Sequence, residues 1–178
     1  ELIAPNGTTM GTWDANDFNF PIREILEFNG EVLFATEDGV ARYNETSNQW
    51  LTLWEEGNGL PNNAGTRIYE LWTDGTHLVT GGGDVNGFGQ FQGGAVSHWD
   101  GTTWNQFDLG QSGTPNGYPL SMAMCGGVLN IGIYANNGGV ARLDLANSSM
   151  IGSFTRADWN EDYGEVSGVA CDATDTLY

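Results

Sequence analysis

Lysine is missing from this chain of 178 residues, and only five arginines stand against 23 acidic residues. The net charge of −18 repels polyphosphates and anionic lipid surfaces, so binding to nucleic acid or insertion into a membrane is not expected. No run of apolar residues is long enough for a membrane-spanning helix. Sustained helical spacing is missing too, because Gly or Asn interrupts every candidate. Histidine occurs only as His77 and His98, without the paired spacing of a metal site. Cysteine is limited to Cys125 and Cys171, about one repeat apart. Two buried free thiols are the expected state, and the spacing leaves a disulfide open. The acidity reads first as a solvated surface, with affinity for cations or cationic partners as the alternative.

What is abundant is glycine, with 27 residues, and aromatic residues at 12%. That composition suits many short strands joined by tight turns. Val40-Ala41-Arg42-Tyr43-Asn44, Val96-Ser97-His98-Trp99-Asp100 and Val140-Ala141-Arg142-Leu143-Asp144 share one layout, starting 56 and then 44 residues apart. Each follows a Gly-marked turn and ends in Asn or Asp. A period near 45 residues with four short strands per copy is the unit of a β-propeller, in which blades surround a central channel.

The expected strands of the first copy are 22–28, 32–36, 40–44 and 50–54, with Asn29-Gly30 as a hairpin turn. The second has 68–73, 78–80, 95–99 and 104–107, the third 120–125, 128–134, 140–145 and 150–154. A fourth starts at 166–171 and continues at Leu177 and Tyr178. The fold class is therefore all-β, a propeller of four-stranded antiparallel blades in an incomplete set of about three to four. Residues 1–20 belong to a preceding blade, with 10–13 as an outer strand. Blades then span 21–65, 66–119 (with an insertion at 81–94) and 120–165, and 166–178 opens the next. Tyr43, Trp50, Trp72, Trp99, Trp104 and Phe107 are expected to pack between blades, each stabilising by ~1.5–3 kcal/mol on burial.

The stretch from Phe34 through Asp38-Gly39 to Tyr43-Asn44, and on through Trp50 to Gly59-Leu60-Pro61-Asn62-Asn63, resembles a regulator-propeller repeat. Such repeats occur in extracellular sensor regions of two-component regulators. The second copy keeps Trp99-Asp100-Gly101 and Trp104, but has Asn116-Gly117-Tyr118-Pro119 in its loop. The third keeps only 139–144 well. Kelch and sialidase propellers are weaker matches. The resemblance implies a propeller outside the cytoplasm, extracellular or periplasmic, that binds something or relays binding. It carries over no catalytic residue.

In a four-stranded meander, the turns between strands one and two and between three and four share an edge. Here those turns are tight, while the segments 55–65, 81–94, 109–119 and 156–165 all rise from the opposite edge. Variable loops on a rigid scaffold are where binding usually resides. Candidate ligand-binding residues on that edge are Asp84, Asn86, Phe88, Phe91, Tyr118, Trp159, Asp162 and Tyr163. Aromatics beside carboxylates and amides suit a glycan or a peptide. No cofactor is required. Calcium is a candidate at Asp84 and Asn86, whose alternating oxygens resemble a calcium loop without its closing Glu, or at Asp158 and Asp162, near Glu161 and Glu165.

The leading expectation is a non-enzymatic recognition or sensor propeller. A glycan-active enzyme using carboxylates is the alternative, and a purely structural interaction propeller the third reading. An open stack of blades exposes apolar sheet faces, so a second copy of the chain is an expected partner, two copies completing a ring.

Overall fold

Period-two alternation, closed by turns that need positive φ, shapes this chain from its first hairpins. The computed structural model describes residues 2–3, 9–11, 21–85, 91–111, 114–159 and 165–178. Near the start, β1 (Leu2–Ile3) pairs with β2 (Thr9–Gly11). The first four-stranded sheet holds β3 (Glu24–Phe28), β4 (Glu31–Thr36), β5 (Gly39–Asn44) and β6 (Gln49–Trp50), in that order. Asn29 and Gly30 take φ values of 53° and 76°. That pair of left-handed residues is what a two-residue type I′ hairpin demands.

A short pair, β7 (Glu55–Glu56) and β8 (Gly59–Leu60), sits in the connection. The second sheet has β9 (Arg67–Thr73), β10 (Leu78–Val85), β11 (Phe91–Trp99) and β12 (Trp104–Asp108). The third has β13 (Asn116–Cys125), β14 (Val128–Asn137), β15 (Gly139–Asp144) and β16 (Ser149–Thr155). All three are antiparallel meanders, and one helical turn follows, α1 (Arg156–Trp159). The first strands lie side by side at the inner edges of their sheets, β3 against β9 and β9 against β13.

Burial between sheets holds the stack together. Phe28, Leu33, Ala35 and Val40 from the first sheet meet Ile68, Leu71 and Leu78 from the second. Val79 and Val96 turn the other way and meet Leu129, Ile131, Ile133 and Leu143 of the third. Leu78 and Val79 are chain neighbours with opposite cores, because side chains alternate across a strand. Leu33, Ile68, Leu78, Ile131 and Leu143 are fully buried, each contributing roughly 1.5–3 kcal/mol.

Several expectations need correction. The cysteines are not free thiols: Cys125 and Cys171 form a disulfide, with Cα atoms 5.6 Å apart. Cys125 ends β13, and Cys171 bridges Leu177 in the next hairpin, so the bond ties the third sheet to the segment beyond it. The first strand starts at Glu24 rather than at residue 22. Ordered pairing in the fourth strand stops at Trp50, although Trp54 N–H still reaches Val40 O at 3.0 Å. The largest correction concerns 81–94. It is mostly strand, extending β10 and β11 well beyond the expected 80 and 95. Gly82 and Gly94 are there for close approach, not for looseness. A Cβ on Gly82 would lie 2.1 Å from Ala64 O, and one on Gly94 2.1 Å from Gly117 O. Neighbouring connections rest directly on the bare backbone. Likewise, the last four residues of the expected 109–119 loop, 116–119, are the start of β13.

Candidate functional site

Edge geometry follows from the strand order. The turns β3–β4, β9–β10 and β13–β14 leave from one edge, and the β4–β5, β10–β11 and β14–β15 turns and the inter-sheet connections leave from the other. On the second edge, the 51–66 connection folds back on itself. The Asn63 N–H donates to the Glu56 carboxylate, and Gly57 N–H donates to Leu60 O at 3.0 Å. Asp84 fastens this connection to the β10–β11 hairpin: its Oδ1 accepts from Thr66 N–H at 2.7 Å and from the Thr66 hydroxyl at 3.0 Å.

At the inner end of this edge lies a cluster that the sequence did not single out. Tyr69 on β9 and Tyr118 on β13 place their rings 4.9 Å apart. The Arg23 guanidinium lies 4.7 Å over the Tyr69 ring. Glu37, in the β4–β5 turn, receives Arg23 at 2.9 Å and Arg67 at 3.6 Å. Two of the five arginines of a strongly acidic chain therefore meet beside a tyrosine pair. Both guanidiniums stay about a third exposed, with donors to spare after one shared carboxylate. Burial, and then the neighbouring Tyr118, push the Tyr69 hydroxyl pKa up, against the pull of Arg67 and Arg23. The missed signal was positional: Arg23 precedes β3 and Arg67 begins β9, one repeat apart.

Of the expected site residues, Asp84 and Tyr118 are placed on this edge, Asp84 holding a loop and Tyr118 in the tyrosine pair. Phe91 begins β11 and Trp159 ends α1. Asn86, Phe88, Asp162 and Tyr163 lie outside the described residues. Asp158 accepts from Thr155 N–H at 2.7 Å and its hydroxyl at 3.1 Å, which caps the helical turn. Among the described residues, no group of three or more His, Cys, Asp or Glu side chains gathers as a metal site. Both calcium candidates have their second member, Asn86 or Asp162, outside those residues.

The inner strands also carry an acidic pair. Burial first, and the Glu24 charge second, raise the Glu70 carboxyl to about 7, against one hydrogen bond from the Met122 backbone. Carboxylates elsewhere serve turns. Asp100 accepts from the Thr102 and Thr103 N–H groups at 2.9 and 2.8 Å. Asn44 accepts from Ser47 N–H at 2.8 Å, and Asp144 from Asn147 N–H at 3.2 Å. The Asn or Asp closing each repeat motif is therefore a turn cap.

No family model matches the sequence, and no curated protein does either. Solved structures do match. The extracellular domain of BT4673 from B. thetaiotaomicron, described as a hybrid two component system, aligns with a TM-score of 0.58 at 18% identity over 89% of this chain. The WD40 repeats of RRP9 align at 0.57 with 12% identity over 85% of this chain and 42% of that one. WD40 repeats are blades of four antiparallel strands around a channel. The present chain is a β-propeller. A computationally designed protein, Ika4, aligns at 0.53 with 14% identity over 89% of both chains. This propeller spans 19% of the BT4673 domain. The kind of protein that the Phe34 to Asn63 repeat resembles thus stands among its structural neighbours. Among the described residues no helix is long and apolar enough to cross a membrane.

Proposed function

We propose that this propeller is a non-enzymatic recognition module of a sensor outside the cytoplasm, taking a glycan or a peptide at the edge that gathers the inter-sheet connections. The observation that carries the reading is the Tyr69–Tyr118 pair with Arg23 and Arg67 at the inner end of that edge. It sets the half-buried Tyr118 ring, backed by the buried Tyr69, beside bidentate donors on a scaffold fixed by buried strands. The extracellular domain among the neighbours and the Cys125–Cys171 disulfide both support an oxidising compartment. The test is an oligosaccharide and peptide array followed by hydrogen exchange on any complex found. Protection should fall on 65–70 and 114–120. Protection confined to the β3–β4 and β11–β12 turns, or no ligand at all, would refute it.

A second reading, a glycan-active enzyme, draws on Glu70. A carboxyl titrating at about 7 beside a second carboxylate is what a general acid needs. Release of reducing ends from polysaccharides, abolished by Glu70→Gln, would establish it.

A further inference from the structure

A cleft of about 240 Å³ opens between the first two sheets, with Gly59 of β8 in its wall. Phe28, Asn29 and Glu31 line it from the β3–β4 hairpin, Arg42 and Trp54 from the outer part of the first sheet, and Trp99 and Trp104 from either side of the β11–β12 turn. Three of the chain's seven tryptophans thus meet in one place. Their inner sides pack on the core between the sheets, but none is fully buried.

Three features of the lining define what fits. Its only charges cancel: Arg42 Nε and Nη2 each donate to the Glu31 carboxylate at 2.8 Å, a bidentate pair. A charged ligand gains nothing there. The indoles form no flat platform, since Trp54 stands at 88° to Trp104 and Trp99 at 56° to it, with centroids 6.1 and 5.7 Å apart. The result is a set of ridges and grooves. Finally, none of the three indole N–H groups has a protein acceptor among the described residues, nor is any of them a sealed, unsatisfied atom. With Arg42 also stacked 4.2 Å over Trp54, the lining is rigid and rich in unused donors.

A proline-rich segment is the complement of such a surface. Its backbone is uncharged and carries carbonyl acceptors without N–H donors at proline, and its preformed helix loses little entropy on docking. A sugar would bring hydroxyls that need acceptors as well as donors, and it stacks best on a flat ring face. We infer that the cleft between the first and second blades is a docking site for an uncharged, proline-rich segment of a partner protein, held by indole N–H donation to peptide carbonyls and by packing of prolyl rings between Trp54, Trp99 and Trp104.

Oligoproline, a Gly-Ser peptide of equal length and a neutral cello-oligosaccharide are titrated separately into the whole chain, with the indole N–H resonances followed by NMR. Oligoproline should shift the Trp54, Trp99 and Trp104 signals to saturation at submillimolar to millimolar concentration, leaving Trp50 and Trp72 in place. Trp54→Phe keeps a smaller aromatic ring and removes one donor, and should weaken oligoproline binding about fivefold without altering the melting temperature by more than a few degrees. No shift at millimolar oligoproline, equal shifts with the Gly-Ser peptide, or saturation by the oligosaccharide alone would overturn the assignment. So would undiminished oligoproline binding by folded Trp54→Phe. If that variant does not fold, the wild-type titration still decides.

Discussion

His98, fully buried, and Glu70, half-buried, are two ionisable groups with opposite pH effects on stability. His98 has no solvent exposure; its Nδ1 lies 3.1 Å from Ser148 Oγ, and its Nε2 has no partner among the described residues. Burial and the nearby His77 lower its pKa from 6.5, against the weaker pull of Asp100 and Asp74. The unfolded chain then binds the extra proton more readily, so His98 costs stability as pH falls below about 6.5. Glu70 runs the other way. Its folded carboxyl keeps a proton up to about 7 whereas the unfolded one loses it near 4.5, so Glu70 costs stability as pH rises through that window. Glu70→Gln should therefore stabilise the fold at pH 8 by ~1–2 kcal/mol, after allowing for solvent screening, and leave it unchanged at pH 4. Thermal melts of both proteins across pH 4–8 check this. His98→Leu should flatten the loss of stability of the wild type between pH 7 and 5. An unchanged slope would mean that His98 keeps an ordinary pKa.

At the scale of the element, the long hairpin β10–β11 depends on absent side chains. Placing a Cβ on Gly82 forces it against Ala64 O, a backbone atom that cannot swing away. Gly82→Ala should destabilise by roughly 1–3 kcal/mol through this overpacking, measured by urea unfolding. Gly93, the chain neighbour of Gly94, has open space around its own Cβ position. Gly93→Ala should be close to neutral in the same assay. The disulfide is an element-scale feature as well, closing a loop of sequence separation 46. On a chain-entropy basis it is worth up to about 4 kcal/mol. Reduction, or Cys171→Ser, should lower the melting temperature and loosen the 170–178 hairpin first, visible as faster amide exchange at Ala170 and Tyr178.

Across the whole molecule, some large apolar side chains of the described residues stay partly open to solvent. Ile25 and Trp50 remain about 40% exposed on the first sheet, and Tyr178 is 72% exposed at the far end. Stacking is the means by which each sheet buries its two faces, and we propose that a second copy of this chain associates at these open positions. Sedimentation at micromolar concentration should give a dimer, and Trp50→Ser should shift it toward monomer. A wild-type monomer at that concentration would count against association with a second copy.

By itself the sequence determined the blade. Local signals suffice for that: Asn29-Gly30 specifies a hairpin, the Asn or Asp at 44, 100 and 144 caps a turn, and alternation sorts Leu78 from Val79. The tertiary structure decided whatever depends on which segments meet. Gly82 and Gly94 read as loop residues until the neighbouring backbone is seen resting on them, and free thiols become a disulfide once the next hairpin abuts β13. Tyr69, Tyr118, Arg23 and Arg67 are spread over nearly a hundred residues and share no motif. Only the inner edges of three successive sheets bring them together, because contacts between blades are set by stacking around an axis, which no local pattern of side chains encodes.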